Sequence, residues 1–234
     1  MTREGAPAPA AARRGRPIGR FLAHGVWATT VVGVEHVPAE GPVILAANHI
    51  GLLDGPLLYG VSPRPAHLLV KQSAFRGPVG ALLRWSGQIP VDAEGGGRAA
   101  LALGLEVLRR GDVLGIFPEG HRGRGDAGAL RGGAVWLALT SGAPVVPVAI
   151  LGTRRTGRRA GSLPRPRARL VVEMGEPVVV ARAPGRSGRE ALDDGTRAVA
   201  DALRATVARA VARTGITLPD DAAVPAPAPR RARP

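Results

Sequence analysis

A histidine and an aspartate stand five positions apart in Asn48-His49-Ile50-Gly51-Leu52-Leu53-Asp54, directly after an apolar run at 42–47. Polar residues at the carboxyl end of a buried strand occupy the place where α/β sheets put their active sites. On a regular helix the two side chains would point about 140° apart, so they meet only where the chain turns, and Gly51 permits a turn. Two roles fit the pair. Asp54-Gly55-Pro56 reads as a helix N-cap with proline just inside the first turn, which leaves His49 a loop histidine. Alternatively, Asp54 fixes the tautomer and orientation of His49, so that the imidazole can take a proton from a hydroxyl group.

Two further stretches share the pattern of polar residues after an apolar run. Phe117-Pro118-Glu119-Gly120-His121-Arg122 is either an ordinary turn with a solvated arginine or an anion site built from backbone N–H groups and a guanidinium fork. Ser86-Gly87-Gln88-Ile89-Pro90-Val91-Asp92-Ala93-Glu94-Gly95-Gly96-Gly97-Arg98 precedes a helical pattern. Its three consecutive glycines serve either as a flexible connection or as a cradle for an anion at a helix N-terminus, with Arg98 beside it. No Gly-Lys-Ser/Thr follows, so this is not a Walker-type phosphate loop.

The elements able to position these residues are legible as alternating patterns. Residues 42–48, 67–71, 112–117, 143–152 and 169–175 are short, apolar runs bounded by Gly or Pro and read as buried strands. Residues 97–110 and 128–141 read as helices. Over 188–213, Leu192, Val199, Leu203, Val207 and Val211 fall on one helical face. Such alternation predicts a single α/β domain with a mixed, mostly parallel sheet flanked by helices. Residues 17–218 form that domain, opening on an amphipathic segment at 17–29. There Ile18, Phe21, Leu22, Gly25 and Val26 make one stripe, with Arg20 and His24 opposite, suited to a membrane interface or to the protein's own core. The Ala/Pro/Arg-rich stretches 1–16 and 219–234 read as disordered tails.

Composition narrows the partners. The net charge is +14 over 234 residues, and Lys71 is the lone lysine among the 32 basic side chains. This charge favours an anionic membrane surface, a phosphorylated substrate or nucleic acid. With three Trp, three Phe and one Tyr there are few base-stacking platforms, and no nucleic acid is expected. The absence of cysteine removes a thiol nucleophile and thiolate metal sites. No apolar run reaches the length of a membrane span, and no signal peptide is read at the N-terminus.

Taken in order, several short motifs resemble the 1-acylglycerol-3-phosphate O-acyltransferases, glycerolipid acyltransferases with an H-x4-D motif. They are Gly33-Val34-Glu35 with Gly41-Pro42-Val43-Ile44, Asn48-His49-x4-Asp54, Lys71 with Phe75-Arg76, Gly87-x-Ile89-Pro90-Val91-Asp92, Phe117-Pro118-Glu119-Gly120-x-Arg122, and Val145-Val146-Pro147-Val148. The resemblance covers about residues 30–180. It implies a glycerolipid acyltransferase fold and transfer of a fatty acyl group from acyl-CoA or acyl carrier protein to the free hydroxyl of 1-acylglycerol-3-phosphate, forming phosphatidic acid. His49 would be the general base and Asp54 its orienting partner. Lys71, Arg98, Glu119, Gly120, His121 and Arg122 would hold the acceptor. A thioester is already activated, so no covalent enzyme intermediate is needed, and no cofactor or metal is expected beyond the thioester donor. The partners are the lysophospholipid, the donor, acyl carrier protein where it supplies the acyl group, and an anionic membrane. The location expected is cytoplasmic, peripheral on the inner face of the cell membrane.

The chain departs from the family at Ala93, where an arginine is common, and at His121, where a threonine is usual. Both changes bear on the acceptor, so a different lysolipid or a glycolipid is the first alternative. A non-catalytic basic protein that binds lipid or nucleic acid is the second.

Overall fold

A computed structural model describes residues 5–92 and 97–221. Its centre is a seven-stranded sheet in the order β1 (Ala28–Val32), β7 (Arg169–Met174), β6 (Val145–Leu151), β2 (Val43–Ala47), β5 (Val113–Ile116), β3 (Ala66–Lys71) and β4 (Ile89–Val91). β6, β2, β5, β3 and β4 are mutually parallel, whereas β7 runs antiparallel to β6 and carries β1 parallel to itself. The expected mixed, mostly parallel α/β sheet is therefore present.

β2 reads as a continuous apolar run because both faces of the sheet are covered. Its pleat sends Val43, Leu45 and Ala47 to one face, and Ile44 and Ala46 to the other. The first face lies under α3 (Asp54–Val61) and the π-helical turn Leu22–Val26; the second under α5 (Arg98–Arg109) and α6 (Gly133–Ser141). α7 (Gly188–Thr214) closes the β6–β7 end through Leu203, Val207 and Ala210. It begins with a reciprocal Ser187–Glu190 capping box and ends at Gly215 in a left-handed conformation.

The apolar-run criterion passes over two edge strands. β1, Ala-Thr-Thr-Val-Val, alternates and is only half-buried; β4 contains Pro90, which an edge strand tolerates because one side of its ladder is free. α4 (Gly77–Trp85) also escapes the sequence reading, and α6 starts five residues later than expected.

The expected disordered tails need correction where the structure describes them. Residues 9–14 form α1 (Pro9–Arg14), with Ala11 and Ala12 buried. The Tyr59 hydroxyl donates to Ala12 O at 2.8 Å and accepts from Gly15 N at 3.1 Å. Small side chains allow this polar-looking segment to dock closely. At the other end Pro219 is buried and Asp221 is ion-paired to Arg154; residues 1–4 and 222–234 lie outside the described residues. The segment 17–29 is not one helix: α2 (Arg16–Phe21) passes into the π-helical turn, and β1 begins at Ala28. The expected stripe is split: Leu22 and Val26 pack against the core beside the buried Gly19 and Ala23, with Gly19 against the backbone of Gly60 in α3, whereas Ile18, Phe21 and Gly25 are exposed.

Candidate active site

All five parallel strands end on one edge of the sheet. Along that edge stand Gly152-Thr153-Arg154 after β6, Asn48-His49 after β2, Phe117–Arg122 after β5, and Lys71 at the end of β3. Parallel strands about 4.8 Å apart thus gather residues that are up to 106 positions apart in sequence, Asn48 to Arg154.

Asn48 fixes the exit of β2. Its amide is fully buried, donates to Ile150 O at 3.1 Å and accepts from Ile150 N at 2.6 Å, so it continues the sheet ladder with a side chain. The chain then turns, and His49 Nδ1 meets Asp54 Oδ2 at 2.8 Å. Asp54 is not the N-cap. Leu53 holds that position, and Asp54 is the first residue of α3. Its carboxylate reaches back to the turn instead, with Oδ2 accepting from Ile50 N at 2.7 Å and Gly51 N at 2.8 Å, and Oδ1 accepting from Thr153 Oγ1 at 2.5 Å. These donors leave the fully buried carboxylate little freedom to rotate. The capping alternative fails because the backbone donors it satisfies lie upstream of the helix. The imidazole stacks on Phe117 with ring centroids 4.2 Å apart and planes at 24°, so its second nitrogen keeps one direction.

The Glu119 loop is tied to this pair, with Gly123 N donating to His49 O at 2.9 Å. Glu119 itself is buried, and burial pushes its carboxyl up from 4.5 to about 7. Backbone hydrogen bonds from Ala127 and His49 act the other way, and the nearby acids Asp126 and Asp54 reinforce the rise. Its Oε1 has no partner among the described residues. Glu119 therefore lies behind His49, bracing its backbone, and exposes little surface to a ligand. Gly120 has φ +73, and a Cβ there would stand 2.5 Å from Arg131 Nε, so Arg131 crosses directly over it. Arg122 is half-buried near Asp54; burial lowers its affinity for the proton while Asp54 raises it. Among the described residues Arg122 has no ion-pair partner, and its Nε is buried without an acceptor. His121 and Lys71 are exposed. Arg98 opens α5 beyond the edge strand β4, and no hydrogen bond or ion pair joins it or Lys71 to the His49 pair. Ala93 and two of the three consecutive glycines, Gly95 and Gly96, lie outside the described residues.

The reading from sequence passed over the residues that lock this arrangement. Thr153 holds Asp54, and Arg154 is a buried clasp. Arg154 Nε donates to Ile50 O at 2.9 Å and Nη2 to Gly123 O at 3.1 Å, linking the His49 turn to the Glu119 loop. On its outer side Nη1 meets Asp221 Oδ1 at 2.9 Å. The signal that could have found them is positional: they follow β6 at the same carboxyl edge.

Comparison with known proteins identifies the family. The chain is 33% identical over 124 residues to the 1-acyl-sn-glycerol-3-phosphate acyltransferase of Bacillus subtilis, an alignment covering 52% of this chain and 62% of that protein. It is 35% identical over 127 residues to the protein of that name from Borreliella burgdorferi, covering 53% and 51%. The alignments thus span between half and two thirds of these relatives. The fold is similar to the crystal structure of the 1-acyl-sn-glycerophosphate acyltransferase PlsC from Thermotoga maritima, with a TM-score of 0.67 at 24% identity over 86% of this chain and 80% of that one. A family model described as Acyltransferase matches residues 28–151, from the first strand through the His49 pair and the Glu119 loop to the end of β6, and the chain belongs to that family.

Proposed function

We propose that the chain transfers a fatty acyl group from an acyl thioester to the free hydroxyl of 1-acylglycerol-3-phosphate, forming phosphatidic acid. The observation that carries this reading is the His49–Asp54 pair. Asp54 Oδ2 accepts from three N–H groups, and with Nδ1–H held there, His49 Nε2 bears the lone pair and serves as the base. In the reaction Nε2 takes the hydroxyl proton as the oxygen attacks the thioester carbonyl. The tetrahedral intermediate then expels the thiolate, and the imidazolium returns the proton to the departing sulfur. Atoms balance without any covalent enzyme intermediate. General-base help contributes roughly 10²–10⁴ in rate, and positioning supplies much of the remainder.

Arg122, half-buried and unpaired with any described acid, suits the acceptor's phosphate, with Lys71 at the neighbouring strand end. The names of the similar bacterial proteins support this acceptor. A lipid acceptor also fits the exposed apolar side chains Ile18 and Phe21 on α2, and Val79, Leu82 and Trp85 on α4. The N-cap of α2 meets the C-cap of α4, where a Cβ on Gly15 would stand 2.9 Å from Ser86 Cβ, and Arg20, Arg76 and Arg84 are exposed on these segments. Such a surface supports peripheral attachment to an anionic membrane from the cytoplasmic side. No helix among the described residues is long and apolar enough to cross a membrane.

The test is a panel of lysolipid and glycolipid acceptors with acyl-CoA and acyl carrier protein donors, products being identified by mass spectrometry. Phosphatidic acid should form with the wild type and fall to background with His49→Ala. Unchanged turnover in a folded His49→Ala protein would refute the mechanism, and preference for another acceptor would replace lysophosphatidic acid.

A further inference from the structure

The connection from β6 to β7 carries a concentration of charge that the acceptor chemistry leaves unused. Residues 154–169, the connection and the first residue of β7, contain seven arginines and no acid. Arg154 is the buried clasp; the other six, Arg155, Arg158, Arg159, Arg165, Arg167 and Arg169, are exposed. None of their side chains has a hydrogen-bond or ion-pair partner among the described residues. Gathering six like charges costs self-repulsion that a bound polyanion would relieve.

The loop is held rather than trailing. Trp27 Nε1 donates to Pro164 O at 3.2 Å, and Arg167 N donates to Val26 O at 2.8 Å. Within it lies a cavity of about 250 Å³ whose lining includes Thr153, Arg154, Arg155, Arg158, Leu163 and Arg165. Thr153 is also the donor to Asp54 Oδ1, so one wall of the cavity is a support of the His49 pair. In the sheet order, β2 and His49 stand between this loop on the β6 side and Arg122 with Lys71 on the β5 and β3 side. Two separate cationic regions flanking one base fit a reaction in which both substrates carry phosphate.

We infer that the β6–β7 loop binds the phosphorylated nucleotide end of acyl-CoA, from which the pantetheine arm extends along the carboxyl edge of the sheet to bring the thioester to His49. This rests on the acyl-transfer reading above. The diphosphate and 3′-phosphate of CoA match guanidinium forks, which grip phosphate in bidentate fashion. A cavity of about 250 Å³ between exposed arginines suits single phosphate groups, whereas a carrier protein would call for a broad, flat face.

The decisive experiment uses the full chain and CoA itself, without lipid, by isothermal titration calorimetry, on wild type and on the triple variant Arg155→Gln/Arg158→Gln/Arg165→Gln. The Kd for CoA should rise about tenfold or more, corresponding to about 1.4 kcal/mol. Wild type should bind CoA more tightly than dephospho-CoA, and the variant should lose that preference. In turnover, the KM for acyl-CoA should rise while that for the lysophospholipid stays. Restoration of CoA binding by lysine at the same three positions would support a charge-based site. An unchanged CoA Kd in the variant would overturn the inference, whether or not liposome binding falls. So would a defect confined to acyl carrier protein as donor, since the loop would then serve a protein. Arginine-dependent CoA binding by a wild type that transfers no acyl group would uphold this site while refuting the function proposed above.

Discussion

Replacing Glu119 with glutamine separates a burial cost from the chemistry beside it. In the folded protein the Glu119 carboxyl titrates near 7, against 4.5 for its ordinary value, chiefly because it is buried. The folded state keeps the proton to higher pH than the unfolded chain. Glu119 therefore costs nothing well below pH 4.5, progressively lowers stability as pH rises, and exerts its full penalty above about 7. The full difference is about 3 kcal/mol. Between pH 5 and pH 8 the portion that develops is about 2.5 kcal/mol. Glutamine keeps the shape and cannot ionise. Urea unfolding followed by tryptophan fluorescence at pH 5, 6, 7 and 8 should show the variant gaining on wild type by about that amount across the range. The comparison is of slopes, so a constant cost from the new amide group drops out. Parallel stability curves, with a change in the difference below about 0.5 kcal/mol, would mean that the carboxyl is hydrated or paired when folded and that its burial behind His49 is misassigned.

Three further perturbations address the rest of the site. Asp54→Asn should lower kcat by about 10²–10⁴ while leaving circular dichroism and melting close to wild type, because the amide can still bond to the turn; near-normal kcat would reduce Asp54 to a structural residue. Asp221→Ala should lower kcat/KM and speed hydrogen exchange at the Gly157 and Gly123 amides, since it removes the outer partner of Arg154. The hydrogen bond from Gly157 N, with smaller help from Arg154, holds the Asp221 carboxyl below its ordinary 3.8. The latch is therefore present above that pH and weakens as the pH falls through the lower folded value, where wild type and variant should converge. Gly60→Ala would place a Cβ 2.3 Å from Gly19 C, backbone against backbone, so α2 must shift. The expected loss is about 1–3 kcal/mol in denaturant unfolding, and an unchanged midpoint would show that the α2–α3 contact yields freely.

Legibility in the sequence followed how local each signal was. The apolar run of β2 announced itself because both of its faces are covered, and α7 because its stripe recurs from Leu192 to Val211 within a helix of 27 residues. β1 and β4 were harder, since an edge strand is half-solvated and Thr or Pro interrupts the pattern. The docked segment 9–14 looked like a tail because alanine and proline carry little hydrophobic signal, yet their small size is what allows Ala11 and Ala12 to lie against the body.

Within the site, the sequence alone determined which residues could do the chemistry. His49, Asp54, Glu119, Gly120 and Arg122 sit in short motifs whose spacing is local and survives any tertiary arrangement. Spacing left Asp54 with two roles, because a cap and a histidine partner ask for the same residue type. The tertiary structure decided between them by turning the carboxylate upstream onto Ile50, Gly51 and His49 and by bringing Thr153, 99 positions away, onto its other oxygen. It also decided that Glu119 lies buried behind His49 and that Arg154 and Asp221 clasp the loops together. Those facts depend on which strands lie side by side, and that order is set by the packing of both faces of the sheet rather than by any single stretch of chain.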